Sequence, residues 1–168
     1  RISKMKSGLA QSYINLGVRT VAYTNPESHI LDLIGTLLGD GFSSRLYIAV
    51  CDKHALSYSI SAGNESGLDY GYFNIGCSTK MKDRDLVIQV IHEELEKICS
   101  RKVGEKELRK AKDIIRGDVL RMFDNPYSLP ELLASCEIKY STEFAIQNYL
   151  KKIEKASPVD IINVANKY

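Results

Sequence analysis

The side chains here that could bind or turn over a substrate are imidazoles, thiols, one arginine beside a glycine-rich turn, and a set of phenols. The imidazoles are His29, His54 and His92, each more than twenty residues from the next. A zinc site draws several such ligands together, usually with at least one short spacing between them. The run His92-Glu93-Glu94-Leu95-Glu96 comes nearest, but a zinc-peptidase helix carries two histidines one turn apart with a glutamate base between them. Position 96 holds Glu96 instead. His92 therefore reads as an ordinary helix-surface residue, and no metal ligand is assigned in this chain. Cys51, Cys77, Cys99 and Cys136 are scattered with no CxxC pair, which points to free thiols in a reducing setting.

Gly39-Asp40-Gly41-Phe42-Ser43-Ser44-Arg45 offers backbone donors and a cation. It lacks the Lys-Ser/Thr ending of a P-loop and the GxGxxG spacing of a dinucleotide turn. The structural reading is that the glycines reverse the chain, Phe42 anchors the turn and Ser43 or Ser44 caps the next helix. Arg45 then braces a loop or a carboxylate through a bidentate bond, with Asp52 at the limit of its reach. Tyr58 could donate its hydroxyl to a carbonyl oxygen that develops charge, with its ring packed against a sheet. Ten tyrosines dilute that signal, so a plain core or surface aromatic stays an alternative. The sequon Asn64-Glu65-Ser66 means little without a secretory context.

These residues need a frame, and the patterning supplies one. Leu9 to Tyr23 alternates like a long strand, with Ile14, Leu16, Val18 and Ala22 on its buried face. Ile30, Leu31, Leu33, Ile34, Leu37 and Leu38 mark a helix after Pro26, and Gly39-Asp40-Gly41 ends it. A short helix through about Lys53 follows. Leu56 to Ala62 and Tyr70 to Cys77 then read as strands joined by a hairpin over 63–69, which favours antiparallel pairing. Leu86 to Ile98 forms a helix with an exposed Glu93–Lys97 pair, and Leu108 to Met122 forms the next. Further helices are expected over 130–137 and 141–155, and Ser157-Pro158 opens a last one. The implied fold class is α+β: a mostly antiparallel sheet covered by helices in a two-layer sandwich.

Composition narrows the function classes. The 168 residues are 44% hydrophobic and 26% charged, enough for a sizeable core. A net charge of +2 gives no reason to expect a nucleic-acid partner. No apolar run is long enough for a membrane span, and no signal-peptide segment follows the basic start, so a cytoplasmic location is expected. The sequence opens at Arg1 rather than Met, which reads as a processed or excised piece.

The run Leu38-Gly39-Asp40-Gly41-Phe42-Ser43-Ser44-Arg45-Leu46-Tyr47, followed by Val50-Cys51-Asp52-Lys53-His54-Ala55-Leu56-Ser57-Tyr58, resembles a family pattern. It is similar to the non-zinc-binding half-domain of pitrilysin-like and mitochondrial-processing-peptidase-like metallopeptidases. There a Leu-Gly-Gly-Gly-x-Ser-Ser-Arg-Leu segment precedes one close to Val-Arg-Glu-Lys-x-Gly-Leu-Ala-Tyr. The likeness extends to Gly8-Leu9-Ala10-Gln11, to the strand over 69–73, to the helix from Glu105 to Lys112 and to the helix near Ser157-Pro158.

The resemblance implies that residues 1–168 form one half-domain, short of a C-terminal strand, paired with a catalytic half or homologous subunit around a peptide-holding chamber. Zinc, its histidines and the catalytic glutamate would belong to that other half, and this chain alone would be inactive. Within this half, Tyr58 matches the family tyrosine that meets the substrate or transition state. Cys51 stands where the family arginine falls and Asp52 where its glutamate falls. A thiol cannot supply the planar, permanently charged five-donor fork of arginine. Lys53 or Arg45 would be the cations to compensate. The resemblance thus implies the substrate-chamber half of a zinc peptidase. The alternative is a noncatalytic peptide-binding or assembly domain that has lost protease function.

Overall fold

The computed structural model describes residues 11–140 and 145–168, the side chains of 139, 140 and 145 excepted. Three strands, β1 (Gln11–Arg19), β2 (Ile60–Ser66) and β3 (Gly71–Lys80), form an antiparallel sheet in the order β1-β3-β2. Period-two alternation fixes its register. Ile14 pairs with Cys77 and Cys77 with Ile60, while Leu16 pairs with Ile75 and Ile75 with Ala62. One face of β3 therefore buries Phe73, Ile75, Cys77 and Thr79, and the opposite parity, with Tyr13, Asn15, Ser61 and Tyr72, is exposed.

The helices cover the buried face: α1 (Ser28–Gly39), α2 (Arg84–Ser100), α3 (Glu105–Asp124), α4 (Ser128–Tyr140), α5 (Ala145–Lys155) and α6 (Pro158–Lys167). The central one is α1, which packs on β2, α3 and α6. Its stripe buries Ile30, Leu31, Leu33, Ile34, Leu37 and Leu38, and Leu33 and Leu38 are fully enclosed. Each such side chain contributes on the order of 2 kcal/mol of burial. Asn25-Pro26 launches α1 and Asn125-Pro126 launches α4 by one device. Each asparagine Oδ1 accepts the backbone N–H two residues on, from Glu27 at 2.8 Å and from Tyr127 at 2.9 Å. Ser157 caps α6 in a reciprocal box with Asp160, as Ser157-Pro158 predicts. Gly117 sits inside α3 without breaking it.

The two-layer α+β class matches the expectation, while several boundaries differ. The regular strand β1 ends at Arg19, with Thr20 N–H still donating to the Gly71 carbonyl at 2.9 Å. Val18 is exposed rather than buried, lining an open apolar groove with Leu31, Ile34 and Leu38 of α1. The hairpin connection is shorter than 63–69: β2 runs through Ser66, and Gly67 N–H donates to the Tyr70 carbonyl at 2.9 Å. β2 also begins at Ile60 rather than Leu56. The expected Glu93–Lys97 pair is replaced: Lys97 binds Glu94 at 2.7 Å, and Glu93 accepts from Gln89. The helix expected over 141–155 is described from Ala145 onward, and 141–144 lie outside the described residues. Among the described residues no helix is long and apolar enough to cross a membrane.

Candidate functional site

The reversal after α1 rests on two glycines with different tasks. Gly41 adopts φ +76°, open to glycine at little cost. Gly39 does not, but a Cβ there would lie 2.0 Å from the Ala62 backbone nitrogen, so it lets α1 close down on β2. Ser44 does not cap the next helix: its Oγ turns back and donates to the Gly41 carbonyl at 2.8 Å. After Arg45 and Leu46 the expected short helix is wound as a π-helical segment, Tyr47–Lys53. Such windings are rare and gather at functional sites.

From that segment the chain reaches β2 through residues 54–59, which carry Tyr58. Ala55 takes φ +48°, the one non-glycine residue in left-handed backbone among those described. Leu56 N–H donates to the Val50 carbonyl at 2.9 Å. Thr79 Oγ1, buried on β3, donates to the Leu56 carbonyl at 2.6 Å. Ser57 Oγ lies 2.7 Å from both the Ser78 and the Ser59 carbonyls. Tyr58 stands out from this strap, 96% exposed, so its ring is not packed against the sheet as expected. The reason is the strap itself: polar side chains hold residues 56–59 where the apolar alternation suggested strand pairing.

Cys51 faces inward. It is half-buried, packs against the core and lies near Cys77, whose thiol burial and the neighbouring Cys51 push up to about 11. Burial raises the Cys51 thiol as well. Neither is a reactive thiolate at neutral pH, and none of the four cysteines is in a disulfide. Arg45 is engaged: Nε donates to Glu107 Oε1 at 2.6 Å and Nη2 to Oε2 at 2.8 Å, a two-point bond to the first turn of α3 rather than to Asp52. That bond holds the Glu107 carboxyl below its ordinary value. Lys53 is exposed at the end of the π-helical segment.

The histidines stay apart. His29 lies at the start of α1, His54 is exposed after the π-helical segment, and His92 is exposed on α2. Among the described residues no group of three or more His, Cys, Asp or Glu is placed to hold a metal ion, so this donor set does not fit zinc. Asn64 is not available as a glycan acceptor. Its amide is half-buried, with Oδ1 accepting from Thr20 and Nδ2 donating to Asp32 and Ser66. Sequence reasoning missed Thr79, Ser57 and Glu107. Thr79 follows Phe73, Ile75 and Cys77 at the same parity, which is the signal for a buried hydroxyl. Nothing local in the sequence points to Glu107.

With this geometry in place, comparison with known proteins identifies the class. Residues 1–115 match the family described as the peptidase M16 inactive domain, and the chain belongs to that family. It is 27% identical over 158 residues to a Bacillus subtilis protein named probable inactive metalloprotease YmfF, covering 94% of this chain and 36% of that protein. A Rickettsia felis protein named uncharacterized zinc protease is 27% identical over 166 residues, covering 98% and 40%. The chain thus spans well under half the length of these relatives. In fold it is similar to a protease from Helicobacter pylori, at a TM-score of 0.88, 22% identity, 97% of this chain and 40% of that one. It is also similar to an inactive peptidase domain from Bordetella parapertussis, at a TM-score of 0.81, 21% identity, 99% of this chain and 90% of that one.

Proposed function

We propose that residues 1–168 form one non-zinc-binding half-domain that builds part of the substrate chamber of a zinc peptidase. In this reading a partner half or homologous subunit carries the zinc, the chemistry falls on a peptide substrate, and the Tyr58 hydroxyl donates to a peptide carbonyl. The observation that carries the reading is the strap. A phenol 96% exposed, on backbone tied to the central strand, is presented outward rather than packed, as a ligand-facing donor would be. A donor aimed at an oxygen that gains charge in the transition state raises turnover more than affinity. The cytoplasmic location belongs to the same proposal.

The test is Tyr58→Phe in the complete polypeptide assembled with its zinc-binding half. The ring makes no core contact to lose, so thermal stability should hold while kcat falls by about tenfold to a hundredfold. Unchanged turnover would remove Tyr58 from the mechanism.

A second reading has its own observation. Cys51 faces the core where the family pattern has arginine, and Arg45 is occupied by Glu107, so neither supplies a free guanidinium. This favours a noncatalytic peptide-binding or assembly domain. An assembly with an intact zinc half and no peptidase activity would select it.

A further inference from the structure

We infer that Thr79 is a positioning residue for Tyr58. The inference rests on the reading above, in which Tyr58 touches the substrate. A side chain so exposed has no packing to aim it, so its direction is set by its backbone. That backbone belongs to no regular element between Lys53 and Ile60. It is set instead against β3, the central strand, paired on one side by β1 and on the other by β2.

Two tethers bracket the tyrosine. On the N-terminal side both polar groups of Leu56 are held, the N–H by the Val50 carbonyl and the carbonyl by Thr79 Oγ1 at 2.6 Å. Thr79 is only 4% exposed, and its hydroxyl reaches the strap from the buried face of β3. Immediately before the tyrosine the Ser57 hydroxyl lies 2.7 Å from the Ser78 carbonyl and, reaching past Tyr58, from the Ser59 carbonyl, and it accepts the Ser59 N–H at 3.2 Å. The residues on either side of Tyr58 are thereby fastened together and to Ser78. Of the two tethers, Thr79 is the one whose donor side chain is itself buried, while Ser57 is half-buried. A half-buried carbonyl that loses its donor gains by shifting to find another, and the strap moves with it. Ala55, in left-handed backbone, leaves the strap a single sharp path from the π-helical segment.

The test uses the complete polypeptide with its zinc-binding half and combines peptide-hydrolysis kinetics with amide hydrogen exchange at Leu56. Thr79→Val should lower kcat by about tenfold with KM little changed, because a displaced donor forfeits transition-state contact more than ground-state binding. Exchange at Leu56 should quicken. Thr79→Ser, which keeps the hydroxyl, should restore both. In a Tyr58→Phe background Thr79→Val should lower kcat no further. Ser57→Ala, on the exposed side, should act in the same direction more weakly, and it carries the same cycle if Thr79→Val does not fold. Losses from Thr79→Val and Tyr58→Phe that multiply would overturn the positioning role. So would normal kcat with fast exchange at Leu56, provided Tyr58→Phe itself is impaired. If Tyr58→Phe alone is fully active, the reading of Tyr58 fails instead, and this inference falls with it.

Discussion

Ala55 shows what a single position costs. At φ +48° its Cβ crowds the adjacent backbone, a penalty of about 1–2 kcal/mol for a residue other than glycine. The peptidase pattern places glycine here. Ala55→Gly should relieve the strain and give back roughly 0.5–1 kcal/mol through the freer unfolded chain, for a net gain of about 0.5–1 kcal/mol. Urea unfolding of the two chains measures it, and a lower midpoint for the glycine variant would show that the surroundings favour a methyl group. The same logic explains Gly39-Asp40-Gly41, where the pattern carries three glycines. Asp40 has φ −101° and ψ 118°, ordinary backbone for any residue, so aspartate stands at the one position of the three with neither a positive φ nor a backbone clash.

At the scale of elements, the contact that sets the layers is α1 on β2. Gly35 approaches the Gly63 Cα closely enough that a Cβ would lie 3.1 Å away, and Gly39 would meet Ala62 backbone at 2.0 Å. Gly39→Ala must therefore lift one end of α1 from the sheet, at a cost of about 3 kcal/mol or more. Gly41→Ala meets open space and costs about 1 kcal/mol from its left-handed backbone alone. Thermal unfolding of both variants tests this, and equal losses would mean that α1 slides along β2 without penalty. The apolar stripe of α1 and the capping box of α6 are local patterns, so both were readable from sequence. The π winding of Tyr47–Lys53 was not. It leaves Leu46, Ala49 and Val50 buried together against the core, an arrangement chosen by packing rather than by any residue's own preference.

At the scale of the whole molecule, His29, Glu27 and Glu107 tie stability to pH with one sign, which Asp40, its carboxyl raised by burial, opposes. Burial, with the nearby Lys152, lowers the His29 imidazole below its ordinary 6.5, so the fold favours its neutral form. That contribution is complete above pH 6.5 and is lost as pH falls through the folded value. The hydrogen bonds from Arg45 to Glu107 and from Lys167 to Glu27 hold both carboxyls below their usual 4.5. Their contribution is complete above pH 4.5 and is lost on further acidification. Stability should thus fall in two stages on acidification, and His29→Gln should flatten only the first. Urea midpoints across the range measure this. A midpoint that rises between neutrality and pH 6 would contradict the sign, and an unaltered first stage in His29→Gln would remove His29 as its source.

What the sequence determined by itself was whatever repeats over a few residues. Period-two alternation in β3 fixed which face is buried. The stripe from Ile30 to Leu38 fixed α1, and Ser157-Pro158 fixed the start of α6. The ordered glycine, serine and arginine run placed the chain in its family. Tertiary structure decided everything that joins residues far apart. Arg45 found Glu107 on α3, sixty-two positions away, because α3 packs on α1 beside the reversal. Tyr58 left the sheet because Thr79 and Ser57 compete with strand pairing for its neighbours' backbone. Cys51 turned toward Cys77 because the segment that carries it is π-wound over the core. A hydrogen bond or a close approach between distant segments leaves no period in the sequence, since it exists only once the core has brought those segments together.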